Sequence, residues 1–391
     1  MKKRFLFHTI KKYINHKNAL VITGMRQVGK TTLMKQIYDE VRAPKLWFDF
    51  DNPLDMLVFE DIDYNNIFQN LKKESNANEQ RIFVFIDEIK NLPEITKIIK
   101  YHIDHYQVKY IVTGSSDYYL KNLFPESLSG RKFLFVLPPL TFQEYLYFHD
   151  KSYKTIKNIQ EIPAIQSRVK FEKLSSDYDN YLEFGGFPEV VTTTDIETKR
   201  AILKNIFSSF FEKDLNILSD IKDIRELRDL ILLLIPRTGN LLDITKISGE
   251  LNVNRVKIYS YLEFLQGVFF LHLIPKFSKS IDRSVAGGRK VYFADTGILN
   301  ILGKVNDGQL FENAVANQLQ NYGKLSFYNL RNKAEIDFII DGEIGYEVKL
   351  NATPKALSKV HYHSNKIGLK KSYLISKKYS NLENIIYPMF L

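Results

Sequence analysis

One glycine-rich stretch near the start of the chain constrains the fold more than any other feature. Residues 21–33 read Val-Ile-Thr-Gly-Met-Arg-Gln-Val-Gly-Lys-Thr-Thr-Leu, which contains Gly-x-x-x-x-Gly-Lys-Thr between an apolar run and a segment with helical spacing. A strand, a glycine-rich turn and a helix form a loop whose backbone N–H groups surround a polyphosphate. The helix N-terminus adds partial positive charge. The stretch predicts nucleotide binding, and the alternative is an accidental glycine-containing turn.

The residues of this loop have separate expected roles. Lys30 is expected to reach the β- and γ-phosphates of ATP, and the Thr31 hydroxyl is expected to ligate Mg²⁺. The other residues expected to contact the nucleotide are Gly24, Arg26, Gln27, Val28, Gly29 and Thr32.

Composition excludes several classes of protein. A length of 391 residues suggests two or three domains, and 45% hydrophobic residues indicate globular cores. The absence of cysteine excludes disulfides and thiolate metal sites and fits a reducing cytoplasm. No apolar run is long enough for a membrane span or a secretory leader, so a cytoplasmic location without membrane attachment is expected. The net charge of +10 fits either nucleic-acid binding or a merely basic soluble protein.

A second motif follows about 55 residues after the loop. Five apolar residues at 82–86 predict a strand buried on both faces of a parallel sheet, and Asp87 and Glu88 stand at its end. Asp87 is expected to hold Mg²⁺, and Glu88 is expected to polarise the water that attacks the γ-phosphate. The alternative is a carboxylate that only caps a helix.

A third strand is predicted over residues 109–116, ending in hydroxyl side chains at the edge of the sheet where phosphates bind. Thr113, Ser115 or Ser116 is therefore expected to sense the γ-phosphate. An ordinary turn rich in glycine and serine is the alternative.

Five segments of the chain together resemble a known family: residues 24–32, 85–89, 112–116, 128–131 (Leu-Ser-Gly-Arg) and 181–191. They look like the prokaryotic AAA-type ATPases that carry a C-terminal nuclease-like domain, and the resemblance covers essentially the whole chain. It implies an AAA+-like parallel sheet flanked by helices and followed by a helical lid. It also makes Arg131 the candidate arginine that touches the γ-phosphate, in cis or from a neighbouring subunit.

The middle of the chain predicts a DNA-binding module. The apolar spacing gives helices over 224–235, 243–251 and 255–265 and a strand over 268–274. This is the order of a winged helix-turn-helix. The functional interpretation places Arg255, Lys257 and Ser260 on a DNA-facing helix. Because only two basic residues lie there, packing or protein contact is the alternative.

A carboxylate-rich hairpin is predicted in the last quarter of the chain, where two alternating strands flank Asp-Gly-Glu at 341–343. With a three-residue loop, Asp337 faces Glu347 and Glu335 faces Lys349, all on one face. A two-residue loop would split them across both faces. Facing carboxylates repel each other unless a cation lies between them.

This hairpin and a glutamate on an upstream helix resemble the PD-(D/E)XK nuclease superfamily. The resemblance implies that Asp337 and Glu347, with the Val348 carbonyl, hold Mg²⁺ or Mn²⁺. Glu312 would complete the acidic set, and Lys349 would position the attacking water or stabilise charge on phosphorus. The family's leading proline is absent, because an isoleucine precedes the aspartate. An inactive fold that binds DNA or packs on the ATPase is the alternative.

The segment 349–382 contains eight lysines and no Asp or Glu. Such a cluster on a helix beside a metal site would contact nucleic-acid phosphates. A solvated basic face is the alternative.

The sequence as a whole predicts an α/β protein with four segments: an AAA-type P-loop ATPase core over 1–150, a helical lid or linker over 151–222, a winged helix-turn-helix over 223–285 and a PD-(D/E)XK nuclease-like domain over 286–391. ATP and Mg²⁺ are the expected cofactors and DNA the expected partner, with a homo-oligomer or a protein partner also open. The preferred function is an ATP-driven, DNA-associated machine whose hydrolysis controls a metal-dependent nuclease-like site. The alternative is a nucleotide-dependent switch or scaffold that regulates a protein partner and has an inactive nuclease fold.

Overall fold

The computed structural model describes residues 2–77, 80–114, 128, 130–151, 156, 158–214, 224–280, 287–330 and 334–391. The chain divides into two compact units. The first is Met1–Pro138 with Gly267–Phe269, and the second is Pro139–Gln266 with Phe270–Leu391. The finer division into four segments stays a prediction. Across the described ranges, no helix has the length and apolar character needed to cross a membrane.

The first unit is built around a parallel sheet. Its strands are β1 (Ala19–Thr23), β2 (Lys45–Asp49), β3 (Phe83–Asp87), β4 (Lys109–Gly114) and β5 (Lys132–Val136). Its helices are α1 (Phe5–Lys11), α2 (Lys30–Glu40), α3 (Pro53–Leu57), α4 (Tyr64–Glu74) and α5 (Ile95–Tyr106). The strand order is β2-β3-β4-β1-β5, and every neighbouring pair runs parallel. The expected α/β fold with a parallel sheet is confirmed.

The inner strands explain the uninterrupted apolar runs of the sequence. β1, β3 and β4 are buried at every position, as strands covered on both faces are, whereas the edge strands β2 and β5 are only partly buried. Thr23 pairs with Gly114, and Asp87 ends β3 beside them. The carboxyl ends of these three strands therefore share one edge of the sheet, where the predicted nucleotide residues lie.

Two glycines allow the turn that joins β1 to α2. Gly24 has φ of 145°, and a Cβ there would collide with the Leu137 carbonyl oxygen. Gly29 caps α2 in the left-handed region with φ of 94°. The helix then buries Leu33 and Ile37 against the unit's core. The chain thus reverses within a few residues, and only glycine fits at its two ends.

The second unit contains more elements. Its helices are α6 (Phe142–Phe148), α7 (Ile162–Ile165), α8 (Arg168–Phe184), α9 (Pro188–Thr192), α10 (Ile196–Ser209), α11 (Ile224–Leu234), α12 (Ile244–Leu251), α13 (Arg255–Gly267), α14 (Thr296–Leu302), α15 (Asp307–Leu319) and α16 (Pro354–Ile367). Its strands are β6 (Leu271–Pro275), β7 (Arg289–Phe293), β8 (Leu325–Leu330), β9 (Ala334–Ile340), β10 (Ile344–Lys349), β11 (Lys371–Ser376) and β12 (Ile385–Ile386).

The middle of this unit has three helices followed by a two-stranded sheet. α11, α12 and α13 precede β6 and β7, which pair antiparallel with Leu273 opposite Val291. Leu241, between the first two helices, bridges to Lys290 on β7. The predicted order of three helices and a strand agrees with the elements found, although the strand begins at Leu271 rather than at Val268.

The C-terminal sheet has the order β12-β11-β10-β9-β8. β9 is antiparallel to both of its neighbours, β8 and β10, whereas β10, β11 and β12 run parallel. Ile344 lies opposite Ile340, so the hairpin loop has three residues, as one of the two registers predicted. Asp341 and Gly342 adopt the left-handed region, with φ of 49° and 72°, which allows the chain to turn tightly.

A buried aspartate joins α8 to α14. Asp295 caps α14 by accepting from Ile298 N (3.0 Å), and it also accepts from Gly186 N (2.7 Å). A Cβ on Gly185 would collide with this carboxylate, which explains the Gly-Gly break after α8. Burial raises the pKa of Asp295 to about 6, while its backbone hydrogen bonds act in the opposite direction.

Asp295→Ala should lower the free energy of unfolding by about 2–4 kcal/mol, because buried N–H groups lose their acceptor. The matched control is Asp195→Ala, which removes an exposed cap of α10 that accepts from Thr198 N (2.8 Å). There water can replace the carboxylate, and the loss should be about 1 kcal/mol. Urea denaturation measures both losses. Equal losses would show that burial does not strengthen the Asp295 cap.

Candidate functional site

The P-loop surrounds the ammonium group of its own lysine. Lys30 is buried at the first position of α2, and its Nζ donates to Gly24 O (3.0 Å) and Met25 O (2.9 Å). Phosphate oxygens accept from an ammonium more strongly than carbonyls do, so ATP can take over these bonds. The loop therefore holds Lys30 where a polyphosphate would lie.

Two threonine hydroxyls bind the Asp87 carboxylate. Thr113 at the end of β4 donates to Asp87 Oδ1, and the Thr31 hydroxyl also hydrogen-bonds to this carboxylate. Burial raises the pKa of Asp87, the two hydroxyl hydrogen bonds lower it, and the neighbouring Glu88 and Asp49 carboxylates raise it further. The strand ends thus bring together the hydroxyl and the carboxylate that the sequence predicted as Mg²⁺ ligands.

This donor set fits Mg²⁺. The ion usually takes one or two protein oxygens in addition to phosphate oxygens and water. Thr31 and Asp87 offer a hydroxyl and a carboxylate oxygen at the edge of the sheet where the P-loop begins.

Glu88 adopts an uncommon backbone conformation next to this pair. Its φ is 53°, and its N–H donates to Thr113 Oγ1 (3.2 Å). Its Oε2 lies 3.4 Å from Lys90 Nζ. Non-glycine residues in the left-handed region cluster at functional sites. The predicted catalytic base is therefore close to the Asp87–Thr113 pair, but it is ion-paired with Lys90.

Arg131 does not lie near the nucleotide site of its own chain. It immediately precedes β5, whose Lys132 pairs with Ala19 at the start of β1, whereas the P-loop follows the end of β1. About 16 Å of strand separates the two edges. Arg131 Nε instead lies 2.7 Å from Asp104 Oδ1. The prediction of a contact in cis is wrong, and a contact from a neighbouring subunit stays a prediction.

The remaining predicted sensors are Ser115 and Ser116, and both lie outside the described residues. Thr113 is described, and its hydroxyl donates a hydrogen bond to the Asp87 carboxylate.

Sequence reasoning missed three residues at the nucleotide site. Arg4 is buried, and its guanidinium donates to Val28 O (2.9 Å) in the P-loop and to Pro138 O (2.8 Å). Asp49 ends β2 directly opposite Asp87, and Lys90 pairs with Glu88. The position of Asp49 at a strand end was a usable signal, whereas no local pattern marks Arg4.

The C-terminal acidic residues do come together. Asp337 on β9 and Glu347 on β10 are buried and lie one position beyond the Phe338–Tyr346 pair. Val348 N donates to Asp337 Oδ2 (2.8 Å), and Lys349 Nζ lies 2.8 Å from Glu347 Oε1. We call the carboxylates of Glu312, Glu335, Asp337 and Glu347 the carboxylate cluster.

Lys290 on β7 reaches into this cluster, and sequence reasoning missed it. Its Nζ lies 2.9 Å from Glu335 Oε1, 3.6 Å from Glu312 Oε1 and 3.7 Å from Asp337 Oδ1. Its side chain is 4% exposed. Tyr292, two residues on, donates to Glu312 Oε1 (2.6 Å). Alternation along β7 gives both residues the same face, a signal available in the sequence.

The cluster as arranged does not fit a divalent metal. Its oxygens are the right ligand type, but an ammonium lies between Glu312 and Asp337. Across the described ranges, no group of three or more His, Asp or Glu side chains is arranged to hold a metal ion. Asp337 and Glu347 lie close together, and their binding of Mg²⁺ or Mn²⁺ stays a prediction. Burial, then the Asp337 charge, raises the pKa of Glu312 to about 7.

The predicted DNA-facing helix is α13, and its two cations differ. Arg255 is exposed, whereas Lys257 is ion-paired with Glu226 on α11. The prediction that Arg255 and Lys257 contact DNA stays a prediction, and the ion pair reduces the charge that Lys257 can offer. The exposed side of α13 is mixed: Val256 is 76% exposed and Tyr259 60% exposed, and Ser260, Glu263 and Gln266 are exposed beside them.

Comparison with known proteins assigns the first part of the chain. A family model described as an AAA domain matches residues 16–146, and two described as domains of unknown function match residues 175–309 and 307–389. The chain is similar to an uncharacterized protein of Methanocaldococcus jannaschii, with 28% identity over 345 residues, 83% of this chain and 72% of that protein. It is also similar to one of Haemophilus influenzae, with 28% identity over 383 residues, 92% of this chain and 89% of that protein.

Among solved structures, the chain is similar to the Walker-type ATPase PABY2304 of Pyrococcus abyssi. The TM-score is 0.50 at 14% identity, and the match covers 77% of this chain and 97% of that one. This likeness concerns the fold. Together with the AAA match and the P-loop geometry, it defines the class: the chain carries an AAA-type P-loop ATPase domain.

Lys30→Ala should lower ATP affinity by roughly a hundredfold, because a charge-assisted contact to the phosphates is lost. Arg131→Ala should leave ATP affinity unchanged in dilute protein, because this arginine lies at the opposite edge of the sheet. Titration with a fluorescent ATP analogue measures both. A loss in Arg131→Ala equal to that in Lys30→Ala would place Arg131 at the nucleotide.

Proposed function

We propose that this protein is an ATP-hydrolysing switch that associates with DNA through its second unit. The observation that carries the ATPase part is the Asp87 carboxylate held by Thr31 and Thr113 beside the P-loop lysine. The observation that supports DNA association is a row of exposed lysines on α16. The two parts are separable and are tested separately.

The ATPase site suggests a sequence of contacts. Phosphate oxygens would replace the Gly24 and Met25 carbonyls at Lys30. Thr31 and Asp87 would hold Mg²⁺, which would supply charge neutralisation at the phosphates. Glu88 then exchanges its ion pair with Lys90 for a hydrogen bond to the attacking water. Breaking that pair is the step by which ATP makes the catalytic base available.

Glu88→Gln should bind ATP as the wild type does and hydrolyse it about 10²–10⁴-fold more slowly, because an amide cannot accept the proton. Glu94→Gln is the matched control, since Glu94 is an exposed carboxylate paired with Lys97. Phosphate release measures hydrolysis, and the fluorescent analogue measures binding. Wild-type turnover in Glu88→Gln would reject Glu88 as the base.

The lysine row on α16 supports binding to phosphates. Lys355, Lys359 and Lys366 are exposed and lie at spacings of four and seven residues, which places them on one helix face. Tyr362 is exposed between them and offers a ring on which a base can stack. Within the described part of the chain, no carboxylate lies within ion-pair distance of these three ammonium groups. We call these four residues the α16 row.

The winged-helix assignment for residues 223–285 is part of the same proposal. It rests on the order of α11, α12, α13, β6 and β7 and on the bridge from Leu241 to β7. On α13, Lys257 is ion-paired with Glu226 and the carboxylate Glu263 is exposed, so this helix offers little net positive charge to phosphates. We therefore assign DNA association to the α16 row.

Replacing the three lysines of the α16 row by glutamine should weaken DNA binding by about tenfold or more and reduce its salt slope by about 2–3. The control replaces three exposed lysines elsewhere, Lys73, Lys100 and Lys304, with the same loss of charge. Fluorescence anisotropy at several NaCl concentrations measures both. Equal weakening by both triple variants would mean that net charge alone drives binding.

Metal-dependent cleavage of DNA is the second candidate function. It is favoured by Glu347 Oε2, a buried carboxylate oxygen without a hydrogen-bond partner among the described residues, close to Asp337 and Lys349. Such an oxygen is able to ligate a cation. Cleavage requires the carboxylate cluster to accept a divalent ion, whereas binding by the α16 row does not.

A further inference from the structure

A lysine side chain of the protein supplies the positive charge within the carboxylate cluster. Lys290 Nζ is within 3.7 Å of oxygens from three of the four cluster carboxylates: Glu312, Glu335 and Asp337. The fourth, Glu347, pairs with the separate lysine Lys349. Each carboxylate of the cluster therefore has an ammonium nearby.

Because they are withdrawn from water, the Lys290 ammonium and the buried carboxylates around it each require the opposite charge of the other. An ammonium that is withdrawn from water costs several kcal/mol unless charges of opposite sign compensate it, and the same holds for carboxylates. Lys290 lies against the Phe327 ring, with its Nζ 5.5 Å from the ring centroid. Removing Lys290 would leave the buried Asp337 without that cation, and removing the acids would leave the buried Lys290 uncompensated, whereas Glu335 is 41% exposed and can be solvated. The lysine thus occupies the electrostatic role that a metal ion has among clustered carboxylates.

We propose that Lys290 is a built-in cation that takes the place of a divalent metal in the carboxylate cluster. This rests on the proposed DNA association and deepens it: the domain binds nucleic acid without cutting it. Because Lys290 comes from β7, the cluster also fastens the β6–β7 hairpin to β9 and α15. The four carboxylates then have a structural role, because they hold these elements together.

Lys290→Met removes the ammonium and keeps the length and apolar character of the side chain. It should convert the cluster into a metal site, because Glu312 and Asp337 lose their cation while Glu347 Oε2 already lacks a hydrogen-bond partner among the described residues. The matched control is Lys349→Met, which removes the other lysine and leaves Lys290 in place. Lys349→Met should not create a metal site.

The experiment measures Mn²⁺ binding by electron paramagnetic resonance in nucleotide-free, full-length protein. All variants carry Asp87→Asn, which removes the carboxylate expected to ligate a divalent ion at the nucleotide site. With Lys290 present, Mn²⁺ binding should be the same with and without Asp337→Asn. With Lys290→Met, affinity should rise by roughly tenfold or more, and adding Asp337→Asn should abolish the gain. Mn²⁺ should also raise the melting temperature of Lys290→Met, but not that of the protein with Lys290 intact.

Two results would overturn the proposal. One is Mn²⁺ binding that depends on Asp337 while Lys290 is intact, which would instead favour the nuclease candidate. The other is a folded Lys290→Met protein that gains no Mn²⁺ binding. If Lys290→Met does not fold, the proposal is tested by Mn²⁺ binding to the protein with Lys290 intact, measured with and without Asp337→Asn. DNA affinity is measured without divalent ions, so a failure of the α16 row and a failure of the Lys290 assignment are distinguishable.

Discussion

A carboxylate withdrawn from water must be given donors or a cation, and this constraint decides what each acidic site of the chain can do. Asp295 accepts from fixed backbone N–H groups and is therefore a structural cap. Asp87 accepts from two hydroxyls, and under the proposed function these would turn away when ATP and Mg²⁺ bind. Asp337 faces the ammonium of Lys290, which a strand of the protein supplies. The three buried aspartates thus differ in role. Asp295 caps a helix, Asp87 has the proposed nucleotide-dependent role, and the charge of Asp337 is compensated by a lysine of the protein.

Features set by residues close in sequence were predictable. The P-loop, the apolar run before Asp87 and the three-residue hairpin loop each depend on a short stretch whose spacing determines its backbone. The partners of the functional side chains were not predictable in this way. Lys290 and Arg4 reach their sites from distant segments, and their partners follow from how strands and helices are arranged in space. Local patterns therefore identified Lys30, Lys349 and most of the acids, but not the cations that distant segments supply.

Arg131 shows the limit of carrying a motif over by resemblance. The motif places an arginine shortly before a strand, but the edge of the sheet on which it lies depends on the direction of that strand. Because β5 runs parallel to β1, its first residue and the P-loop lie at opposite edges. The arginine pairs with Asp104 at the edge that lacks the nucleotide. A contact to the γ-phosphate would therefore require a second copy of the chain, so that role and the predicted homo-oligomer are one hypothesis.

The two helices considered for DNA binding, α13 and α16, differ in the positive charge that each can offer to phosphates. Non-specific affinity for DNA comes mainly from cations that displace counterions from phosphates. On α13 one of the two cations is already neutralised by Glu226, and the helix also exposes the carboxylate of Glu263. On α16 three unneutralised lysines and a tyrosine share one face. Burial and the Asp337 charge raise the pKa of Glu347 to about 7, and the charges of Lys349 and Lys359 partly offset that rise, so Lys359 lies near the carboxylate cluster. DNA held on this row would therefore lie next to carboxylates, and the cation that Lys290 provides reduces their repulsion of the phosphates.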